Sequence, residues 1–165
     1  MFKRTWWRYW RPAHLELPPI LVRLPNGEVE KIVAVALPAQ FDQVAQSWDL
    51  AFKDLSTSDY VVGQVWAARG ADRFLLDQRR ERMDMPRTLN AIRAMSAKWP
   101  QATAKLVEDK ANGPAVIASL RHEIEGLIAV NPEGGKQARA AAVSPQIEAG
   151  NVYLPHPDIA PWVEG

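Results

Sequence analysis

The sequence predicts a mixed α/β fold, a ribonuclease H-like sheet with helices on its faces, and three observations carry that prediction. Strand-like runs at 44–48, 60–67 and 74–82 follow one another, with turn residues around Gly70 between the last two. Beyond them, segments with helical spacing alternate with short apolar runs, the pattern of helices laid on a sheet. Two of the apolar runs end in acids, Asp49 in one and Glu108-Asp109 in the other.

Bulk composition narrows the possibilities. The 165 residues fit one domain with a real core, and 47% hydrophobic with 24% charged residues is ordinary for a globular chain. A net charge of +1 means that any nucleic-acid surface must be a local patch. Without cysteine there are no disulfides, thiolate metal sites or cysteine nucleophiles. His14, His122 and His156 are scattered, with no zinc-like spacing. No GxxxxGK[ST] phosphate loop is present, so ATP hydrolysis by this chain alone is not expected. No apolar run reaches the ~20 residues of a membrane span, so no membrane partner is expected. MFKRTWWRYWRP has cations but no apolar core after them, so the expectation is a cytoplasmic protein without a signal peptide.

Taken in order, residues 1–40 are expected to form an N-terminal arm, rich in aromatics and proline, that covers the main sheet and connects to an upstream domain. Trp6, Trp7, Tyr9 and Trp10 lie among Lys3, Arg4, Arg8 and Arg11. Such interleaving suits base stacking and phosphate contact, and equally an amphipathic segment packing its Trp side chains on a neighbouring surface. Asn26-Gly27, between apolar runs at 20–24 and 29–35, predicts a hairpin. Residues 41–165 are expected to be the main domain. Its three strands end before Asp84-Met85-Pro86, which caps and starts a helix carrying Leu89, Ile92, Met95 and Trp99, stopped by Pro100. Residues 104–108 form a fourth strand, and Asn112-Gly113-Pro114 opens a helix facing the core through Val116, Ile117 and Leu120. A fifth strand at 127–130 is followed by a helix after Gly134-Gly135, where Ala138, Ala141, Ala142 and Ile147 suggest close packing and Pro145 a bend or restart. Gly150-Asn151 stops it before a short strand at 152–154. The order βββαβαβα is that of the ribonuclease H-like arrangement.

Acids at the ends of adjacent strands, ~4.8 Å apart, can share magnesium or manganese ions, and two such ions ~4 Å apart suit phosphodiester cleavage. Asp49 with Glu108 or Asp109 fits if the first and fourth strands are neighbours. Read singly, Asp49 is equally a turn-capping residue and Glu108-Asp109 a surface loop entry; alternation lets only one of that pair face the metals. Lys53, Lys110, Lys136 and Arg139 are candidate DNA contacts, with an ordinary solvated cation the simpler reading of each. Arg79-Arg80-Glu81-Arg82 reads either as a DNA track or as a charged strand edge, and His156 as a metal neighbour or a loop histidine. Asp54 and Asp59 look like turn residues.

The segments FKRTWWRYW (2–10), FDQVAQSWD (41–49), TSDYVVGQVW (57–66), LVEDKANGPAVI (106–117) and VNPEGGKQARAAAVSPQIEAGNVYLPHP (130–157) together resemble the nuclease domain of phage large terminase subunits. The resemblance implies a Mg2+- or Mn2+-dependent endonuclease with two metal ions, acting on concatemeric double-stranded DNA. It implies an upstream ATPase domain and, as partners, a portal and a small terminase subunit. It puts the family's first metal acid on Asp49 and the second on Glu108 or Asp109, different branches favouring one or the other. The family's third acid belongs to an Asp-Asp motif on a helix beyond the last strand; the sequence reaches Gly165 without one, and Asp158, in a Pro-rich loop, is a poor substitute. The 41–165 domain is therefore expected to lack its C-terminal helix, to bind metal poorly and to cut weakly or not at all. A resolvase or transposase core would need a third acid near the final strand, and none is well placed. The non-enzymatic alternative is a catalytically dead nucleic-acid-binding or motor-docking module with the same fold.

Overall fold

The computed structural model describes residues 2–50, 59–108 and 112–164, apart from the side chains of Asp59 and Lys136. Lys53, Asp54, Asp109 and Lys110 lie outside the described residues. The N-terminal strands are β1 (Arg8–Arg11), β2 (Ile20–Arg23), β3 (Val29–Ile32) and β4 (Val35–Ala36). They are followed by β5 (Gln43–Leu50), β6 (Asp59–Arg69), β7 (Asp72–Met83) and α1 (Met85–Lys98). The chain continues through β8 (Ala104–Glu108), α2 (Gly113–Leu120), β9 (Leu127–Val130), α3 (Lys136–Glu148) and β10 (Val152–Pro155). From β5 to α3 this is the order expected from the sequence.

One compact unit comprises Gln43–Ala67 and Asp77–Glu133. Its strands are neighbours in the order β7-β6-β5-β8-β9. β5 and β8 are parallel, as are β8 and β9. Only Gly70-Ala71 joins β6 to β7, and a link that short permits only antiparallel pairing, so the sheet is mixed. Along β5, Val44, Gln46, Trp48 and Leu50 are buried whereas Gln43, Ser47 and Asp49 are exposed. A hydrogen-bond relay fixes that orientation. Trp48 Nε1 donates to Gln46 Oε1 (3.0 Å), and Gln46 Nε2 donates to Ser96 Oγ on α1 (3.2 Å), so the buried amide is satisfied. The Trp48 ring lies flat on β6 at Gly63, where a Cβ would stand 2.5 Å from two ring carbons.

α1 is started as its sequence signals require: Asp84 accepts from the Arg87 amide (3.0 Å), with Pro86 in the first turn. Its buried stripe is Thr88, Ala91, Ile92 and Met95, one step round from the expected stripe through Leu89. Small Thr88 and Ala91 let the helix lie close on the sheet, and Leu89 is left half-buried. α2 buries Gly113, Val116 and Leu120.

The other unit comprises Met1–Asp42, Ala68–Leu76 and Gly134–Gly165. Its strands are neighbours in the order β4-β1-β10-β7, with β1 parallel to both β4 and β10. The aromatic segment at the start of the chain is thus in part a sheet strand. Tyr9 and Trp10 are buried, and Trp10 Nε1 donates to the Leu75 carbonyl (2.8 Å). β2 and β3 form a hairpin around Asn26-Gly27, with Gly27 at φ 87. Tyr9, Val22, Ile32 and Ala34 form a core cluster, against which Trp7 packs. α3 differs from expectation in its packing. It continues through Pro145 without a restart, and the expected close packing is not found, since Ala138, Ala141 and Ala142 are exposed and Ile147 is buried. Alanine favours helix by backbone propensity without needing a partner, so the Ala-rich pattern reported helix rather than close packing. Among the described residues no helix is long and apolar enough to cross a membrane.

Candidate functional site

β5 and β8 run side by side in the same direction, and both end in acids. Their register pairs Ser47 with Leu106 and Trp48 with Val107, so the next step along both strands brings Asp49 level with Glu108. Level residues on parallel neighbours share a face and are separated by about one strand spacing, ~4.8 Å. Trp48 and Val107 occupy the buried face, which leaves Asp49 and Glu108 on the opposite one. Asp49 is exposed, Glu108 is half-buried, and Glu108 Oε1 is shielded from solvent. Both acids are held by contacts of their own.

The end of β8 is held tightly. A Cβ on Gly113 would collide with the Glu108 carbonyl oxygen, so glycine lets the first turn of α2 close directly onto the strand end. Two carboxylates side by side offer hard oxygen donors, the chemistry that magnesium and manganese favour. Among the described residues no group of three or more His, Cys, Asp or Glu side chains stands ready for a metal. Asp49 and Glu108 bring carboxylate oxygens, the donor type that a divalent cation takes, to the ends of neighbouring strands.

The remaining candidates are placed as follows. Lys53, Lys110 and Asp109 are outside the described residues. Lys136 opens α3, and Arg139 sits half-buried in that helix's first turn with an interaction of its own. Both belong to the unit that does not contain Asp49 and Glu108. His156 is a buried loop residue. Its Nδ1 accepts from the Asp158 amide (3.0 Å), which puts the ring proton on Nε2, facing the Pro18 carbonyl (2.7 Å). Of the arginine run, Arg79 pairs with Glu81 (3.2 Å), whereas Arg80 and Arg82 lie over the Tyr60 ring. Tyr60 was not a candidate from sequence; its parity with Asp49 across the β5–β6 pair was the available signal.

The model of the Terminase RNaseH-like domain matches residues 46–164, a span that contains both acids. The chain belongs to that family. Its fold is shared with solved structures of other terminases. For the large terminase nuclease domain of bacteriophage SPP1, with bound Mn, identity is 14%, coverage 76% of this chain and 67% of that one, and TM-score 0.53. For the large terminase nuclease of thermophilic phage G20c, with bound zinc, the corresponding figures are 13%, 96%, 82% and 0.54. A large terminase from another thermophilic bacteriophage is similar over 72% of this chain at 11% identity and TM-score 0.53. The match spans 30% of the length of that longer protein. No curated protein sequence matches the chain. The terminase family and ribonuclease H-like fold expected from the sequence are thus the ones found.

Proposed function

We propose that this terminase-family chain is the metal-dependent endonuclease domain of a viral DNA-packaging large subunit, cutting concatemeric double-stranded DNA by two-metal phosphodiester hydrolysis. One observation carries the reading: Asp49 and Glu108 reach the ends of neighbouring parallel strands on one face, inside the segment that matches the family. Asp49 and Glu108, with Asp109 the further candidate, would hold Mg2+ or Mn2+. Such ions, when bound, activate water and stabilise the leaving oxygen of a phosphodiester. Behind the acids, Trp48 and Val107 are buried on the sheet's other face. The upstream ATPase domain, the portal, the small subunit and a cytoplasmic setting belong to the same proposal for the parent protein.

We further propose that this chain by itself cuts weakly or not at all. The test combines Mn2+ titration by electron paramagnetic resonance with nicking of supercoiled plasmid. Asp49→Ala and Glu108→Ala should each weaken Mn2+ binding by about tenfold or more, and any Mn2+-dependent nicking should disappear. Nicking that survives Asp49→Ala, or unchanged Mn2+ affinity in both variants, would overturn the assignment. The second reading is a nucleic-acid-binding module without catalysis, whose signature is salt-dependent DNA binding indifferent to Mn2+.

A further inference from the structure

The face of the sheet that carries Asp49 and Glu108 also carries a cationic, aromatic cluster, and strand parity places it there. Trp48 rests on Gly63, so these positions share the buried face and Tyr60, three residues before Gly63, falls on the face of Asp49. Gln64 Nε2 donates to Gln78 Oε1 (2.7 Å), which brings alternate residues of β7, Arg80 and Arg82, to that same face. There the guanidinium carbons of Arg80 and Arg82 lie 4.1 Å and 4.8 Å from the Tyr60 ring centroid. Tyr60 is 40% exposed, and both arginines are exposed.

We infer that Arg80 and Arg82, steadied by Tyr60, grip the phosphodiester backbone of duplex DNA and lead it towards the Asp49–Glu108 strand ends. The inference rests on the nuclease reading for its substrate. Two guanidiniums gathered round one ring concentrate positive charge that an isolated chain gains little by concentrating; the ring offsets part of their repulsion through cation–π attraction. Each guanidinium carries five N–H donors, and those not turned to Tyr60 can fork onto phosphate oxygens. Arg80 and Arg82, two apart on β7 and both drawn to one ring, present their guanidiniums together on one face, where a run of phosphates can meet both. Arg79, on the opposite face, shows the contrasting use of the same residue type, since it is ion-paired with Glu81. The Arg82 hydrogen bond, reinforced by the charges of Arg82 and Arg80, also holds the Tyr60 phenol below its ordinary pKa, a sign of concentrated positive potential.

The full chain would be titrated onto a fluorescently labelled DNA duplex in EDTA, with polarisation read across a series of KCl concentrations. Arg80→Ala/Arg82→Ala should lower the slope of log affinity against log salt by about 2, one for each lost phosphate contact. Arg80→Lys/Arg82→Lys should keep most of the slope, and Tyr60→Phe should bind more tightly than Tyr60→Ala. Circular dichroism confirms that each variant is folded, and the lysine pair supplies the comparison if the alanine pair is not. An unchanged slope in the alanine pair, or no binding by the wild-type chain, overturns the inference. Asp49→Ala keeps these arginines, so loss of Mn2+ effects in that variant tests the nuclease reading separately from DNA binding.

Discussion

Glu108 illustrates how one residue's placement depends on another that carries no chemistry. Because the Cβ of any larger residue at 113 would meet the Glu108 carbonyl oxygen, Gly113→Ala must push α2 away from the end of β8. Alanine would ordinarily favour a helix over glycine by about 1 kcal/mol, and here the steric conflict opposes it. Overpacking of this kind costs about 1–3 kcal/mol, so we expect net destabilisation by urea denaturation, together with weaker Mn2+ binding. A Gly113→Ala protein more stable than wild type would show that the contact at Glu108 is looser than described. Asp49 was legible as a candidate because it ends an apolar run. The need for glycine at 113 was not legible, since it arises from backbone contact between a strand end and a helix start. Between Glu108 and Asp109, alternation limited the choice to one, and only the register with β5 shows that position 108 shares Asp49's face.

At the level of the element, α1 is tied to β7 at its far end and capped at its near end. Asp77 accepts from Lys98 Nζ (2.8 Å) and from Trp99 Nε1 (2.8 Å), while Asp84 caps the first turn and Thr88 Oγ1 donates back to the Asp84 carbonyl (2.8 Å). Asp84→Ala removes the side-chain acceptor and should cost about 1 kcal/mol, read as a lower urea midpoint with unchanged slope. A midpoint equal to wild type would mean that water replaces the cap without loss. The start and stop of this helix could be read from Asp84, Pro86 and Pro100, because capping is local chemistry. Of its expected stripe Ile92 and Met95 are buried and Leu89 is only half-buried, while Thr88 and Ala91 are buried beside them, small residues that hydrophobicity alone does not mark. β1 shows the same limit more strongly. A short Arg-Tyr-Trp-Arg run reads as part of an amphipathic segment packing on a surface, and it becomes a strand by pairing with β4 on one side and, on the other, β10 from far along the sequence.

Across the whole molecule, the alternation of strands and helices was legible because periodicity is written into every segment, whereas parallel pairing such as β5 with β8 joins segments distant in sequence and leaves no local mark. The same long-range burial sets an expectation for stability at alkaline pH. Burial is the largest cause raising the pKa of Tyr9, in the core cluster with Val22 and Ile32, and of Tyr153, beside Asp72. A phenol with a folded-state pKa above its unfolded value of 10.0 leaves the native state holding more protons once the pH passes that value. Its contribution is fully present below pH 10.0 and is lost as pH rises through the folded-state pKa. Tyr60 has the opposite sign: lowered chiefly by the Arg82 hydrogen bond, its contribution grows as pH rises towards 10.0. Urea midpoints measured from pH 8.5 to 11 should therefore fall on the alkaline side. Tyr9→Phe should flatten that fall because it removes a proton that only the unfolded chain releases readily, and Arg82→Ala should remove the opposing gain from Tyr60. If wild type and Tyr9→Phe lose stability with the same slope, the Tyr9 hydroxyl is not held in the interior, and the packing of β1 against the hairpin core must be looser than the structure shows.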